Sequence, residues 1–382
     1  MKITLKRTPE QVELVKAMAS RNKAVAYEAQ VALAEFIGPV LAEVLNQAPT
    51  VSNLFQSLQF NADDNPSIPL DLYYNISDED YVQVYSQSHA GGLPTNQVLP
   101  TASELKLATY SLDSAVSFDR RYAAKSRMDV VSKTFTRVAQ EILIKQETTS
   151  ATLLMTAVAA ATTNSKQHVQ TNNVAGKFTL SDMNDLLTLA KRINTSWIGG
   201  TPTTRTKGLT DLICSPEIVQ DIRSMAYNAI NSQDADGTAP AGTDGLAAPD
   251  ELRMEMFRNA GLPEFYGLGI MEINELGTSQ KFNNLFATAA GSTSYFNQDG
   301  SSGEIATFNS STDDFVLGVD RTKDSLIRAV AVDAESGSEF NLIADDQYSI
   351  RQNKIGYFGS IDEGRVVLDN RVLVGKIVGA FG

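Results

Sequence analysis

Val130-Val-Ser-Lys-Thr-Phe-Thr-Arg-Val-Ala-Gln-Glu-Ile-Leu-Ile-Lys145 carries two interleaved stripes. Val131, Phe135, Val138 and Ile142 follow a 4-3-4 spacing and form one apolar seam. Lys133, Arg137, Glu141 and Lys145 recur every four positions on another face. Both periods are those of an amphipathic helix. The helical texture extends over Tyr122–Thr163, roughly forty residues against about twelve for an ordinary globular helix, and so predicts a rod or spine. It ends in the polar linker Asn164–Lys177.

Upstream of the rod, Ile68–Phe118 reads as a long β-hairpin. Its outgoing arm holds Ile68–Ile76 and Tyr81–Tyr85, rich in β-formers. The tip, Ser88–Thr95, gathers Gly91, Gly92 and Pro94. On the return arm, Glu104–Phe118, Leu105 and Leu107 set one parity, whereas Leu112, Ser114, Val116 and Phe118 set the other. A β-bulge between Ala108 and Ser111 is therefore expected. Two-stranded hairpins are marginal alone, so this one is expected to be steadied by another chain.

Further upstream, Thr8-Pro-Glu-Gln11 has the form of a capping box with Pro at the first helical position. Apolar residues follow at Val12, Val15, Met18 or Ala19, Val25, Ala29, Leu33, Phe36, Val40 and Val44. The spacing predicts one long helix over Thr8–Ala48, kinked at Gly38-Pro39. Because it precedes any compact core, its stripe is expected to lie on a partner surface.

Downstream of the rod the texture becomes mixed α/β. Ser181 is expected to cap a helix holding Met183, Leu186, Leu187, Ala190 and Ile193. Leu209–Ser215 reads as a strand, and Ser215-Pro216-Glu217 restarts a helix by cap-plus-Pro logic. Asn228–Pro249 reads as a surface loop, Asp250–Ala260 as a short helix stopped by Gly261, Gly267–Ile273 as a strand and Ser292–Gly303 as a polar loop. Phe315–Val319, Leu326–Val332, Tyr348–Tyr357, Gly364–Asp369 and Val372–Val378 are strand-like. No internal repeat stands out, which disfavours solenoids and propellers.

The 382 residues are 42% apolar and 20% charged, a globular composition long enough for roughly two to three compact units. Cys214 is the single cysteine and lies in an apolar stretch, so it reads as a buried small hydrophobe outside any disulfide framework. The N-terminus lacks the pattern of a secretory signal. The uncharged run Thr148–Ser165 is mostly Ala, Thr and Ser, too poor in large apolar residues for a span of about 20. A chain made in a cytoplasm, with no membrane partner, is expected. Net charge is −13, yet residues 1–30 carry six Lys or Arg against three Glu. The acidic remainder argues against specific nucleic-acid binding and favours solubility and repulsion between copies.

Chemistry finds little to stand on. The histidines are His89 and His168, neither in a motif. There is no HExxH, GxSxG or GxxxxGK[ST], and Gly267-Leu-Gly269 is only a fragment of a dinucleotide fingerprint. Asp63-Asp64, Asp78-Glu79-Asp80, Asp313-Asp314 and Asp345-Asp346 are small acidic groups without EF-hand spacing, and they read as solvated turns. No catalytic residue, metal ligand or cofactor site is assigned.

The order of helical arm, long hairpin, spine helix, mixed α/β part and closing β-rich part resembles the Hong Kong 97-like major capsid proteins of tailed bacteriophages, over essentially the whole chain. Leu212-Ile-Cys-Ser-Pro-Glu217 resembles a recurring step of their axial domain. Asp345–Arg351 and Gly364–Asp369 resemble the strands that return to their peripheral domain. The resemblance implies an α+β fold with an N-terminal arm at 1–50 and an extended hairpin, or E-loop, at 51–119. It implies a peripheral domain at 120–177 and 335–382 and an axial domain at 178–334. It further implies a non-enzymatic subunit forming pentamers and hexamers in an icosahedral shell around double-stranded DNA, bound without sequence specificity. Scaffolding, portal and cement proteins would be its partners, and the virion its location after assembly in the host cytoplasm. Candidate subunit contacts are Val12, Val15, Phe36, Gly91, Gly92, Pro94 and Lys106. Some members lock the shell by a Lys–Asn isopeptide bond; Lys106 with Asn353 or Asn370 is the candidate pair here. An encapsulin-type compartment shell is the alternative on the same fold. A metal-assisted hydrolase using the acidic groups is the alternative of another class, and an extracellular binding protein is disfavoured for want of a signal sequence.

Overall fold

The computed structural model describes residues 8–47, 50–61, 66–69, 104–163, 166–194, 208–225, 264–265, 267–296, 306–322, 324–332, 338–345 and 352–379. The chain divides into two compact units. One comprises Met1–Ile68, Leu105–Ser150 and Ile327–Val366, and the other Pro69–Glu104, Ala151–Leu326 and Val367–Gly382. The closing strand, Leu373–Val378, and the last residues of the spine helix fall in the second, whereas most of that helix falls in the first.

In the first unit, helices α1 (Pro9–Met18) and α2 (Lys23–Gln47) replace the expected single helix. The Thr8 side chain caps α1 by accepting from the Gln11 amide at 3.4 Å. The break falls at 19–22, where the Asn22 side chain takes the Ala24 amide at 3.2 Å. Pro39 sits inside α2 without ending it. The expectation that the whole stripe lies on a partner is corrected for its inner side, while Val25, Phe36 and Val40 stay exposed. Val15, Met18, Leu33, Ile37, Leu41 and Leu45 are buried in one cluster with Val131, Phe135, Val138 and Ile142. The sequence shows an arm because it cannot show what folds back beneath it.

That cluster lies against a sheet of β1 (Gln56–Asn61), β4 (Tyr110–Asp119), β14 (Leu326–Val332), β15 (Asn341–Asp345) and β16 (Lys354–Val367). Strand β1 runs parallel to β14 from Gln56↔Ile327 to Asn61↔Val332. Strand β16 takes β15 antiparallel over Gly356–Ser360 and β4 antiparallel from Lys354↔Asp119 to Glu363↔Tyr110. Tyr357 anchors the middle, with Phe135 edge-on at 5.3 Å and Phe118 stacked at 6.3 Å. Sequence spacing divides β16 in two and overlooks β1 and β15, whose burial is weakly alternating.

The spine is shorter than expected. Helix α3 (Arg120–Ala124) is capped by the Asp119 carboxylate, and α4 (Met128–Ala159) follows after Ser126 takes a left-handed φ of 51°. A serine tolerates that region poorly, and the chain breaks its helix there. The amphipathic reading holds: the Val131–Ile142 seam is buried, and Lys133, Arg137, Glu141 and Lys145 are exposed.

In the second unit a six-stranded sheet has the order β7 (Val169–Thr171), β17 (Leu373–Val378), β13 (Asp314–Val319), β8 (Asp211–Cys214), β10 (Leu268–Glu272), β9 (Glu264–Phe265). Helices α5 (Leu180–Asn194) and α6 (Pro216–Met225) cover one face, where Met183, Leu186, Ile218 and Ile222 meet Leu212, Cys214, Val316 and Val374. The α5 cap lies at Thr179, not Ser181. Thr179 Oγ1 accepts the Asp182 amide at 3.4 Å while Asp182 accepts the Thr179 amide at 2.8 Å. Asp182, itself buried, also pairs with buried Lys376 at 3.3 Å. The Ser215 cap on α6 stands as expected, accepting the Ile218 amide at 3.3 Å. Phe286 of α7 (Lys281–Ala290), a helix without a sequence signal, stacks on Phe315 at 4.0 Å. Within the expected polar loop 292–303, Tyr295 is buried and donates to the Ala159 carbonyl at 2.8 Å. The regions 228–249 and 250–260, assigned to a loop and a helix, lie outside the described residues.

His168 is buried here. Its Nδ1 faces the carbonyls of Asn370 and Leu373, both at 3.0 Å, so Nδ1 carries the proton and Nε2 accepts from the Thr163 hydroxyl at 2.8 Å. Burial pushes its pKa below the ordinary 6.5. Above pH 6.5 both folded and unfolded chains are neutral at this position and it adds no pH dependence. As pH falls below 6.5 the unfolded chain takes the proton first, so stability drops until the folded pKa is passed. Thermal melts from pH 7 down to pH 5 should show a decline that His168→Gln flattens. An unchanged slope in the variant would reject this role.

Candidate assembly surfaces

The described residues hold no group of three or more His, Cys, Asp or Glu placed to bind a metal ion. Asp313 and Asp314 are buried and satisfied. Asp313 Oδ2 accepts the Asn309 amide at 2.9 Å, and Asp314 accepts the Ser215 hydroxyl and the Phe315 amide. Burial raises the Asp314 pKa. This is packing chemistry. Asp63-Asp64, Asp78-Glu79-Asp80 and Asp346 lie outside the described residues. What remains are the root of the hairpin segment and the exposed apolar side chains.

Two short strands, β2 (Ser67–Pro69) and β3 (Glu104–Lys106), pair with each other, so residues 70–103 leave and return at one ladder. The hairpin tip, with Gly91, Gly92 and Pro94, lies outside the described residues. On the return side no simple bulge explains the parity switch. The chain changes partner at Leu107–Thr109, leaving β2 and joining β16 through β4. Gly364 makes room for that crossing: a Cβ there would sit 2.6 Å from the Ala108 carbonyl oxygen. Tyr110–Asp119 is therefore steadied by its own sheet.

A buried charge node ties this root to its neighbours. The Glu363 carboxylate, fully buried on β16, accepts from Tyr110 Oη of β4 at 3.0 Å and from Gln146 Nε2 of α4 at 3.0 Å. It also accepts from Arg328 Nε of β14 at 2.9 Å and Arg365 Nη2 at 3.1 Å. Arg365 reaches on to the Gln146 carbonyl and to Ser52 Oγ, both at 2.8 Å, in the turn Val51–Leu54 that follows α2. Burial lowers the Arg365 pKa while Glu363 pulls it up. Burial, and then the Glu363 charge, push the Tyr110 hydroxyl up to about 12, so it stays a donor. Hairpin root, spine helix and the segment after the N-terminal helices thus meet at one carboxylate. Neither the arginines nor Gln146 belong to any short motif, and only spatial convergence reveals the node.

The candidate contact residues separate. Val15 is fully buried in its own unit, which removes it as a subunit contact; Val12 is half-buried. Phe36 is 54% exposed and lies on an outward stripe of α2 with Val25 and Val40. Lys106, Asn353 and Asn370 are exposed. Asn353 holds a left-handed φ of 55° and its carbonyl takes the Arg120 amide, at the Asp119 end of β4. Lys106 precedes the other end of that ten-residue strand, which spans about 30 Å at 3.4 Å per residue. A second outward pair, unseen in sequence, is Ile343 and Phe358, which sit opposite one another on β15 and β16. Lys23–Leu45 is also long and apolar enough to cross a membrane by length and composition, but Leu33, Ile37, Leu41 and Leu45 bury that helix in the core.

No family model and no curated protein matches the sequence. Among solved structures the chain is similar to shell proteins. The capsid of an empty GTA particle matches with a TM-score of 0.49 and 12% identity, over 87% of this chain and 91% of that one. The holo-SrpI encapsulin complex from Synechococcus elongatus matches with a TM-score of 0.44 and 10% identity, over 88% and 89%. The capsid of the cyanophage P-SCSP1u matches with a TM-score of 0.42 and 15% identity, over 85% and 86%.

Proposed function

We propose that the chain is a major capsid subunit that self-assembles as pentamers and hexamers into the icosahedral head of a tailed phage, enclosing double-stranded DNA. The observation that carries this reading is the rooted excursion. Residues 70–103 leave and return at the single β2–β3 ladder, and the neighbouring strand is fastened through Glu363 to the long helix α4. The outward apolar side chains of α2, β15 and β16 supply further surface for neighbours. The overall charge of −13 suits a wall that packaged DNA does not adhere to. In this reading the protein acts by association and not by catalysis. Scaffolding, portal and cement proteins are its partners, and a link of Lys106 to Asn353 or Asn370, where formed, joins neighbouring subunits.

Negative-stain microscopy of the expressed protein, alone and with a co-expressed scaffold, tests this. Icosahedral or tubular assemblies are expected. Persistent monomers of 41.3 kDa across salt and scaffold conditions would overturn the proposal. Closed shells filled with cargo protein, without portal or DNA, would instead indicate the compartment function of an encapsulin.

A further inference from the structure

The outward face of α2 is acidic as well as apolar. Val25, Phe36 and Val40 are exposed, at 42%, 54% and 39%, and Glu28 and Glu35 lie exposed beside them. The outward face of α4 is apolar and mainly basic, with Ile144 at 56% exposure flanked by exposed Arg137 and Lys145 and with exposed Lys133 and Glu141 on the same stripe. Both helices bury their opposite sides in the core of the same unit. The two outward faces therefore belong to different elements of one rigid cluster, and each needs a partner of the other's character.

We infer that the α2 face of one copy docks on the α4 face of a second copy, helices parallel, with Phe36 against Ile144. This rests on the shell reading above and names the surfaces through which neighbours meet. The register follows from spacing. Glu28 precedes Phe36 by eight positions, and Arg137 precedes Ile144 by seven, about 12 and 10 Å along the axes at 1.5 Å per residue. Glu28 then meets Arg137, and Glu35 meets Lys145 on the same flank. Val25 meets the aliphatic stem of Lys133, eleven positions before Ile144 as Val25 is before Phe36. Such a contact joins two different patches, so it repeats head to tail and closes into rings, as a shell requires. Opposite charges set its register and partner choice, which matters for a chain whose copies otherwise repel.

The test is a charge exchange read by sedimentation and electron microscopy of the full chain. E28K/E35K and R137E/K145E are each expected to fold with unchanged melting but to lose at least nine-tenths of assembled particles. The quadruple variant is expected to recover at least half. Normal assembly by either double variant, or no recovery in the quadruple, overturns the contact while leaving the shell reading intact. If the unaltered chain forms no particles, the shell reading falls, and the contact is judged by cross-linking alone. Cys214 is buried and its thiol pKa is pushed up, so introduced surface cysteines report cleanly. Mixed F36C and I144C chains should then oxidise to a disulfide-linked heterodimer well above either alone, and its absence overturns the inference.

Discussion

A chain lacking residues 1–47 is expected not to fold. Val15, Met18, Leu33, Ile37, Leu41 and Leu45 are all at or below 4% exposure in the first unit's core. At about 2 kcal/mol for each buried side chain, they contribute on the order of 10 kcal/mol. That is comparable with the entire net stability of a domain, ~5–15 kcal/mol. A detachable arm would leave a cooperative unfolding transition intact after truncation, whereas a core element abolishes it. Circular dichroism and urea titration of the truncated chain decide. A native-like transition would return these helices to the role of arm. Neighbouring point variants sharpen the contrast. Ile37→Ala should cost about 2–5 kcal/mol by opening a cavity, while Phe36→Ser should stay within about 0.5 kcal/mol.

Phe36 and Ile37 also show what the sequence could and could not reveal. The period of α2 is legible, and so is its capping at Thr8. Its direction is not, because the helix is apolar nearly all round. The stripe through Val25, Phe36, Val40 and Val44 is as regular as the buried one through Leu33, Ile37, Leu41 and Leu45. Choosing between them requires the strands near residue 340, far away in the chain. On α4 the same reasoning succeeds because charges occupy the outward side and leave one apolar seam. Secondary structure failed where the local signal is weak: β1 and β15 are short and largely exposed, and α7 is uncharged after Lys281. The break at Leu107–Thr109 was visible as a parity change, but its cause is a change of strand partner. Spacing alone cannot tell exposed from buried: Phe36 and Lys106 are exposed, and Val15 is not.

Glu363 could not have been chosen from sequence, and it is where a single substitution should do the most damage to the root of the excursion. Glu363→Ala leaves the guanidinium groups of Arg328 and Arg365 in the interior without the carboxylate that both touch, and leaves Tyr110 without its acceptor. Removing one partner from a buried ion pair costs about 3–5 kcal/mol, because the remaining charge loses compensation. Two arginines share this carboxylate, so the upper end of that range is expected. Glu363→Gln keeps the shape but replaces one acceptor with an amide donor facing the arginines, and should cost about 2–3 kcal/mol. Tyr110→Phe removes one neutral donor to a charged acceptor and should cost about 1.5–3 kcal/mol, while leaving the arginine contacts in place. Urea midpoints at pH 7 with unchanged m-values would report these losses as stability and not as altered compactness. A loss below about 1 kcal/mol for Glu363→Ala would mean that water reaches the node and solvates the arginines, contrary to its burial. A Gln variant that costs nearly as much as Ala would place the node's main contribution in charge compensation, whereas a much smaller cost would place it in the packed, hydrogen-bonded shape.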